Sequence, residues 1–196
     1  MTLNGYLSLA WQSVIAPRDV ARMLLSLRLG TEAIACAMAL VVVLQSALVG
    51  VSVQLAPPDD EALMPLLSQP MVFAGGLAIV MVATIVAMTW SGRGIGGTGR
   101  LRDVALLVAW VQGLDVLVQA LLIVLAPIAP GLAGIVSLAA SAAGIWILIN
   151  FLAEAHGFEG LGKSALSVLL AVTGLALGIA LFLSLSGATV GMTGDV

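Results

Sequence analysis

Five apolar runs dominate this chain, and each is about as long as a membrane is thick. A helix rising about 1.5 Å per residue needs roughly 20 apolar residues to cross a hydrocarbon core of about 30 Å. The runs lie near Ala33–Val53, Met71–Trp90, Val104–Ala126, Gly131–Ala153 and Ser164–Leu185. Inside lipid every backbone N–H and C=O must be satisfied by the protein itself, so a spanning segment is a helix or part of a closed barrel. Barrel strands are short and alternate apolar with polar residues. These runs are long and continuous. The sequence therefore predicts an all-α, polytopic membrane protein with a bundle of five transmembrane helices.

Composition removes the competing classes. Hydrophobic residues make up 61% of the 196 and charged residues 9%. A soluble surface takes roughly 25–35% charged residues, so a water-soluble globular fold is excluded. Disorder requires low hydrophobicity and is excluded as well. Seven basic residues against ten acidic ones leave a net charge of −3. With no basic patch, no nucleic-acid partner is expected. Cys36 is the single cysteine, so no disulfide forms within the chain, and it reads as a small core hydrophobe.

Breaks between the runs are clear. Ala56-Pro57-Pro58-Asp59-Asp60-Glu61, with Pro65 and Pro70, makes a polar, helix-breaking loop. Ser91 to Gly99 is glycine-rich and reads as a flexible loop. Pro127 to Pro130 is a tight turn that makes spans three and four an antiparallel hairpin. Glu154 to Gly162 is the fourth connection. Arg18, Arg22 and Arg28 precede span one; Arg93, Arg100 and Arg102 lie between spans two and three; Lys163 lies between spans four and five. The other exterior segments contain no Lys or Arg. By the bias of basic residues to the inner side, the N-terminus is cytoplasmic and the C-terminus outside. A cleaved signal peptide is not expected. The chain divides into a cytoplasmic amphipathic segment (1–30), a membrane domain (31–186) and a short tail (187–196).

The N-terminal segment is too polar to span. Leu3, Leu7, Trp11 and Val14 share one helical face, and Pro17 then interrupts. Beyond it Val20, Met23, Leu24 and Leu27 repeat at i, i+3, i+4 and i+7, with Arg18 and Arg22 facing elsewhere. Two short amphipathic helices follow. With Trp11, Arg18, Arg22 and Arg28 at the membrane surface, they suit the cytoplasmic interface. Docking against the bundle is the plainer alternative.

Few residues offer chemistry. Asp115 falls near the middle of span three, where a lone carboxylate costs at least about 2.5–3.5 kcal/mol. Gln112 and Gln119 lie at i−3 and i+4, so the three polar groups share a face that should point into the bundle. That cluster reads as a proton or ion relay or a polar docking site, or else as an interhelical hydrogen-bond cluster. Asn150, Glu154, His156 and Lys163 gather at the cytoplasmic end of span four. One histidine with two glutamates is too weak for a metal claim. Gly92, Gly94 and Gly97 match G-x-G-x-x-G, but no strand precedes them, so nucleotide binding is not expected. Small residues recur every fourth position at Ala105, Ala109 and Gly113, at Ala133, Ser137 and Ser141, and at Gly174 and Gly178. Such spacing lets helices, or subunits, approach closely in lipid. No nucleophile–base pair, carboxylate pair or cysteine cluster is present, so neither an enzyme nor a metal or other cofactor is expected.

Several features together resemble a known family. Ala16-Pro17-Arg18 in a cytoplasmic N-terminal segment, followed by five spans, resembles the Yip-domain family, named for Ypt-interacting proteins. The end of span four is the closest local likeness: Trp146, Phe151, Glu154-Ala155-His156-Gly157-Phe158, then Lys163-Ser164-Ala165. It is similar to the aromatic, His-Gly and Lys-Ala passage of bacterial members, and the resemblance as a whole covers the chain from about residue 5 to 185. The resemblance implies a multi-pass protein of the bacterial inner membrane, with no catalytic residues to carry over. Eukaryotic members are associated with small GTPases and vesicle trafficking, but their long cytoplasmic N-terminal regions have no counterpart here.

The expected function is non-enzymatic: a Yip-like membrane protein that organises or associates with other membrane proteins, with itself or with lipids. One alternative is a small transporter or ion- or proton-conducting protein using Asp115. Another is an accessory subunit of an energy-transducing complex.

Overall fold

The computed structural model describes residues 3–55 and 69–185. The proline-rich loop after span one up to residue 68, and the 187–196 tail, lie outside the described residues. Among those described, the chain forms seven helices: α1 (Leu3–Ile15), α2 (Pro17–Ser26), α3 (Thr31–Leu55), α4 (Pro70–Gly94), α5 (Leu101–Leu125), α6 (Pro130–His156) and α7 (Leu161–Leu185). The last five are long and apolar enough to cross a membrane. Prolines open α2, α4 and α6, where a missing N–H costs nothing and the fixed φ already suits a helix.

The spans run a few residues past their apolar stretches. Ser91, Gly92 and Arg93 extend α4, and Arg102 and Asp103 begin α5. Hydropathy falls where polar residues begin, whereas the backbone ladder stops only at a breaker. For α6 that breaker is Gly157, at φ 71°. Phe158 N–H reaches Ala153 O at 2.8 Å and Gly157 N–H reaches Glu154 O at 3.3 Å. This paired closure needs a left-handed residue, which glycine supplies without strain.

Helix α5 packs on α3 and α6, α4 packs on α3 and α7, and α6 also meets α7. The segments carrying the seven basic residues gather at one end. Thr98 N–H donates to His156 O (3.1 Å), Arg102 donates to Arg28 O (3.0 Å) and to Leu29 O, and Arg18 donates to Glu159 O (3.4 Å).

Burial concentrates in the half nearest this basic end. Val104 through Ala109 are buried on α5, with Met81, Ile85 and Met88 on α4, Ile147 and Phe151 to Ala153 on α6, and Ala171 on α7. Toward the far end, Leu121, Val124, Leu132, Ile135, Leu138 and Leu177 are exposed. Lipid tails are as apolar as leucine, so burial between spans is held by close packing and hydrogen bonds rather than by escape from water.

The amphipathic pair docks on the bundle. Helix α2 lies on α6 and α5, burying Pro17, Val20, Ala21 and Leu24 and leaving Met23 and Leu27 outside. Helix α1 buries Leu9 and Ser13 but turns Leu7, Trp11, Val14 and Ile15 outward. The docking alternative drawn from the sequence is met on one face, and an apolar face is left free. Cys36 is a correction. It is exposed, because α3 turns Ile34, Val41, Val42 and Gln45 inward, and position 36 falls on the opposite side of the helix.

Candidate functional site

Two polar constellations stand out, one at the basic end and one midway along α5.

His156 anchors the first. It is fully buried, with Nδ1 3.1 Å from Leu152 O and Nε2 3.5 Å from Thr89 O. Its ring stacks on Phe158, with centroids 5.4 Å apart and planes 12° apart. Three glycines make room for it. A Cβ on Gly92 would overlap the ring at Nε2, one on Gly99 would lie 2.6 Å from Cδ2, and one on Gly97 would lie 2.8 Å from the His156 Cβ. The Ser91–Gly99 stretch is therefore not the flexible loop expected. It is a fitted cradle, closed by Gly97 N–H to Gly92 O (2.9 Å), Arg93 Nε to Gly99 O (2.8 Å) and Thr98 to His156 O. A glycine pattern that suggests phosphate binding instead supplies backbone without side chains to a histidine.

The other residues expected beside His156 act separately. Asn150 is buried and donates to Trp146 O on its own helix (2.9 Å). Glu154 faces Arg22 Nε at 3.6 Å, and Arg22 also holds Asp19 at 2.6 Å. Lys163 is exposed. Arg22 thus tethers α2 to α6, an ion-pair contribution of about 0.2–1 kcal/mol at an exposed site, and Arg18 ties α2 to the α6–α7 turn through the Glu159 carbonyl. Among the described residues no group of three potential ligands could hold a metal.

The second constellation is built on α5. Viewed down the helix, Gln112 and Gln119 lie close together and Asp115 is offset to one side. Gln112 and Gln119 are half-buried and Asp115 is exposed. The Asp115 carboxylate accepts from Gln45 Nε2 of α3 at 3.5 Å, a long contact. The Gln119 Oε1 and Ser46 Oγ atoms are buried without a hydrogen-bond partner. Asp115 is thus not sealed inside the bundle. It stands at the edge of a lateral groove of about 760 Å³ between α1, α5 and α6. Leu7 and Trp11 form one wall, Val111 to Leu121 a second, and Ala140, Ser141 and Gly144 a third. A smaller cavity of about 130 Å³ lies between α3, α4, α5 and α6, and Gln45 and Gln112 line it. Gln112 borders both spaces.

Helix α1 roofs the groove through contacts at Trp110. The indole Nε1 donates to Ser13 Oγ (3.0 Å), which donates in turn to Leu9 O (2.9 Å). Tyr6 meets the same indole edge-on at 5.2 Å, and its hydroxyl would stand 3.1 Å from a Cβ on Gly113. Burial pushes the Tyr6 phenol above its ordinary pKa.

The small residues divide into two groups. Ala105 and Ala109 are buried between helices, and Gly113 admits Tyr6. A Cβ on Gly174 or Gly178 would meet nothing within 4 Å. These two glycines instead border an open groove of about 420 Å³ with Ala83, Ala87 and Trp90 of α4.

Sequence reasoning missed Gln45, Tyr6, Thr89 and the glycine–histidine contact. Gln45 carried a signal, as an amide inside an apolar span. The glycine–histidine contact joins residues more than fifty apart and leaves no local trace.

A family model described as Yip1 domain matches residues 10–183. Neither a curated protein nor a solved structure matches the chain.

Proposed function

The chain belongs to the Yip1-domain family, and from that premise we propose that it is a non-enzymatic scaffold that associates with other membrane proteins or lipids. The groove between α1, α5 and α6 carries this reading. A bundle stable by itself in lipid has no need of an open lateral recess lined by Trp11, Val111 and Gly144 with a carboxylate at its edge. Exposed carboxylates are costly in hydrocarbon, and a docked neighbour would shield Asp115. In this reading residues 1–30 form a membrane-surface segment on a membrane domain of residues 31–186. The basic end faces the cytoplasm of a bacterial inner membrane, as the clustering of Arg18, Arg22, Arg28, Arg93, Arg100, Arg102 and Lys163 favours.

Extraction into native nanodiscs followed by mass spectrometry tests the proposal. A membrane protein or a retained lipid should co-purify reproducibly. Recovery as a bare monomer under the mildest extraction would overturn it.

A second reading, ion or proton conduction, draws on a different feature. Gln112 borders both the groove and the inner cavity, and Asp115 is linked to that cavity through Gln45. Flux into proteoliposomes that disappears in Asp115→Asn would favour it, and absence of flux from the native chain would end it.

A further inference from the structure

We propose that the α1–α5–α6 groove receives a transmembrane helix of another protein, carrying a lysine or arginine at mid-membrane depth opposite Asp115. The proposal rests on the scaffold reading and names the partner's chemistry.

Charge comes first. Asp115 is exposed to the groove, and among the described residues its one hydrogen bond is the 3.5 Å contact from the Gln45 amide. An amide dipole does not neutralise a carboxylate. No Lys or Arg occupies the middle of any span, and α1 has none, so no basic side chain among the described residues supplies a counter-ion at this depth. A second copy would bring another Asp115 and no cation, which disfavours self-association at this face. A partner helix with one central basic residue offsets the insertion cost of both charges, because ionisable residues inside membranes pair with one another.

Shape comes second. The α5 wall extends from Val111 to Leu121, about 15 Å of helix, or close to three turns of an occupant. The opposite wall presents Ala140, Ser141 and Gly144, and small residues of this kind let a neighbouring backbone approach closely. A Cβ on Gly144 would meet nothing within 4 Å, so that space is unfilled among the described residues. Apart from Gln112, the rest of the lining is apolar, as the flanks of a spanning helix require.

The test uses the full chain in phosphatidylethanolamine–phosphatidylglycerol vesicles, with a donor fluorophore at the exposed Cys36. Acceptor-labelled Leu-Ala spanning peptides differ only in a central Lys or Leu. The Lys peptide should associate at least ten times more tightly than the Leu peptide. Asp115→Asn should erase that preference, Asp115→Glu should retain it, and Gly144→Leu should weaken both peptides by filling the wall. Each variant must keep the native helix content and melting temperature, so that lost binding is not lost folding. Equal affinity for the two peptides, or a Lys preference that survives Asp115→Asn, would overturn the proposal. So would self-association that depends on Asp115 and excludes the Lys peptide. Failure here with partners still co-purifying in native nanodiscs would leave the scaffold reading standing.

Discussion

The two halves of this bundle are built on opposite principles. At the basic end helices are fastened by specific contacts: His156 in its glycine cradle, Ser91 bonded to both Ser167 O and Ser167 Oγ at 2.9 Å, and Ser164 bonded to Ile149 O across the α6–α7 turn. Thr89, Ser164 and Ser167 are fully buried there. At the far end α6 and α7 expose Leu132, Ile135, Leu138 and Leu177, and grooves open on two flanks partway along the bundle. In lipid, apolar area alone does not drive helices together, so stability follows where small residues and hydrogen bonds permit intimate contact. One half carries the fold, which frees the other to present surface.

Gly92→Ala should break the comparison most severely. The added methyl would overlap the His156 ring, at a site where the ring is stacked on Phe158 and bonded to Leu152. Overpacking of this kind costs about 1–3 kcal/mol. A thermal melt in detergent should show a clear fall in Tm. His156→Ala made together with Gly92→Ala should recover part of that loss, since the collision disappears; a double-mutant cycle measures the coupling. An unchanged Tm in Gly92→Ala would mean that the cradle is loose and the two halves are less distinct than described.

Trp110→Phe tests the border between the halves. It keeps the aromatic bulk but removes the bond to Ser13 Oγ, a loss of about 0.5–1.5 kcal/mol for a typical hydrogen bond. Hydrogen exchange should quicken across α1 and stay slow in Val104–Ala109. The same contact has a pH limit. Burial raises the Tyr6 pKa, so the docked state favours the neutral phenol. Its stabilisation is complete below the ordinary value of about 10 and declines as pH rises through the higher docked value. Protection across α1, after correction for the base-catalysed intrinsic exchange rate, should fall only in that alkaline range. Tyr6→Phe should remove the dependence.

How much of this was legible in the sequence follows the range of the interactions. The spans were readable because a membrane imposes its thickness on consecutive residues, and Asp115 because a carboxylate in an apolar run is locally anomalous. Helical spacing also placed Gln112, Asp115 and Gln119 on one side of α5. It could not show how α5 is rotated against α3 and α6, and that rotation turns Asp115 outward to a groove rather than inward. Likewise Gly92 and His156 are adjacent only after α4 and α6 pack, so their local signals suggested a flexible loop and an interfacial histidine. The residues on which α1 docks were hidden for the same reason. Ser13 looks like a residue of the polar face until Trp110 stands opposite it.

Gly174→Ala should have the smallest effect on the fold, and its silence is informative. The new methyl meets nothing within 4 Å, and alanine is favoured over glycine in a helix by about 1 kcal/mol. Tm should stay level or rise slightly, the reverse of Gly92→Ala. Both substitutions add one methyl to a helical glycine, so the contrast isolates the surroundings from the chemistry. If Gly174→Ala instead lowers Tm in native nanodiscs but not in detergent, the methyl is colliding with something that detergent strips away. The α4–α7 groove would then be an occupied surface in the membrane, and this flank of the bundle would be stabilised by what binds it rather than by its own packing.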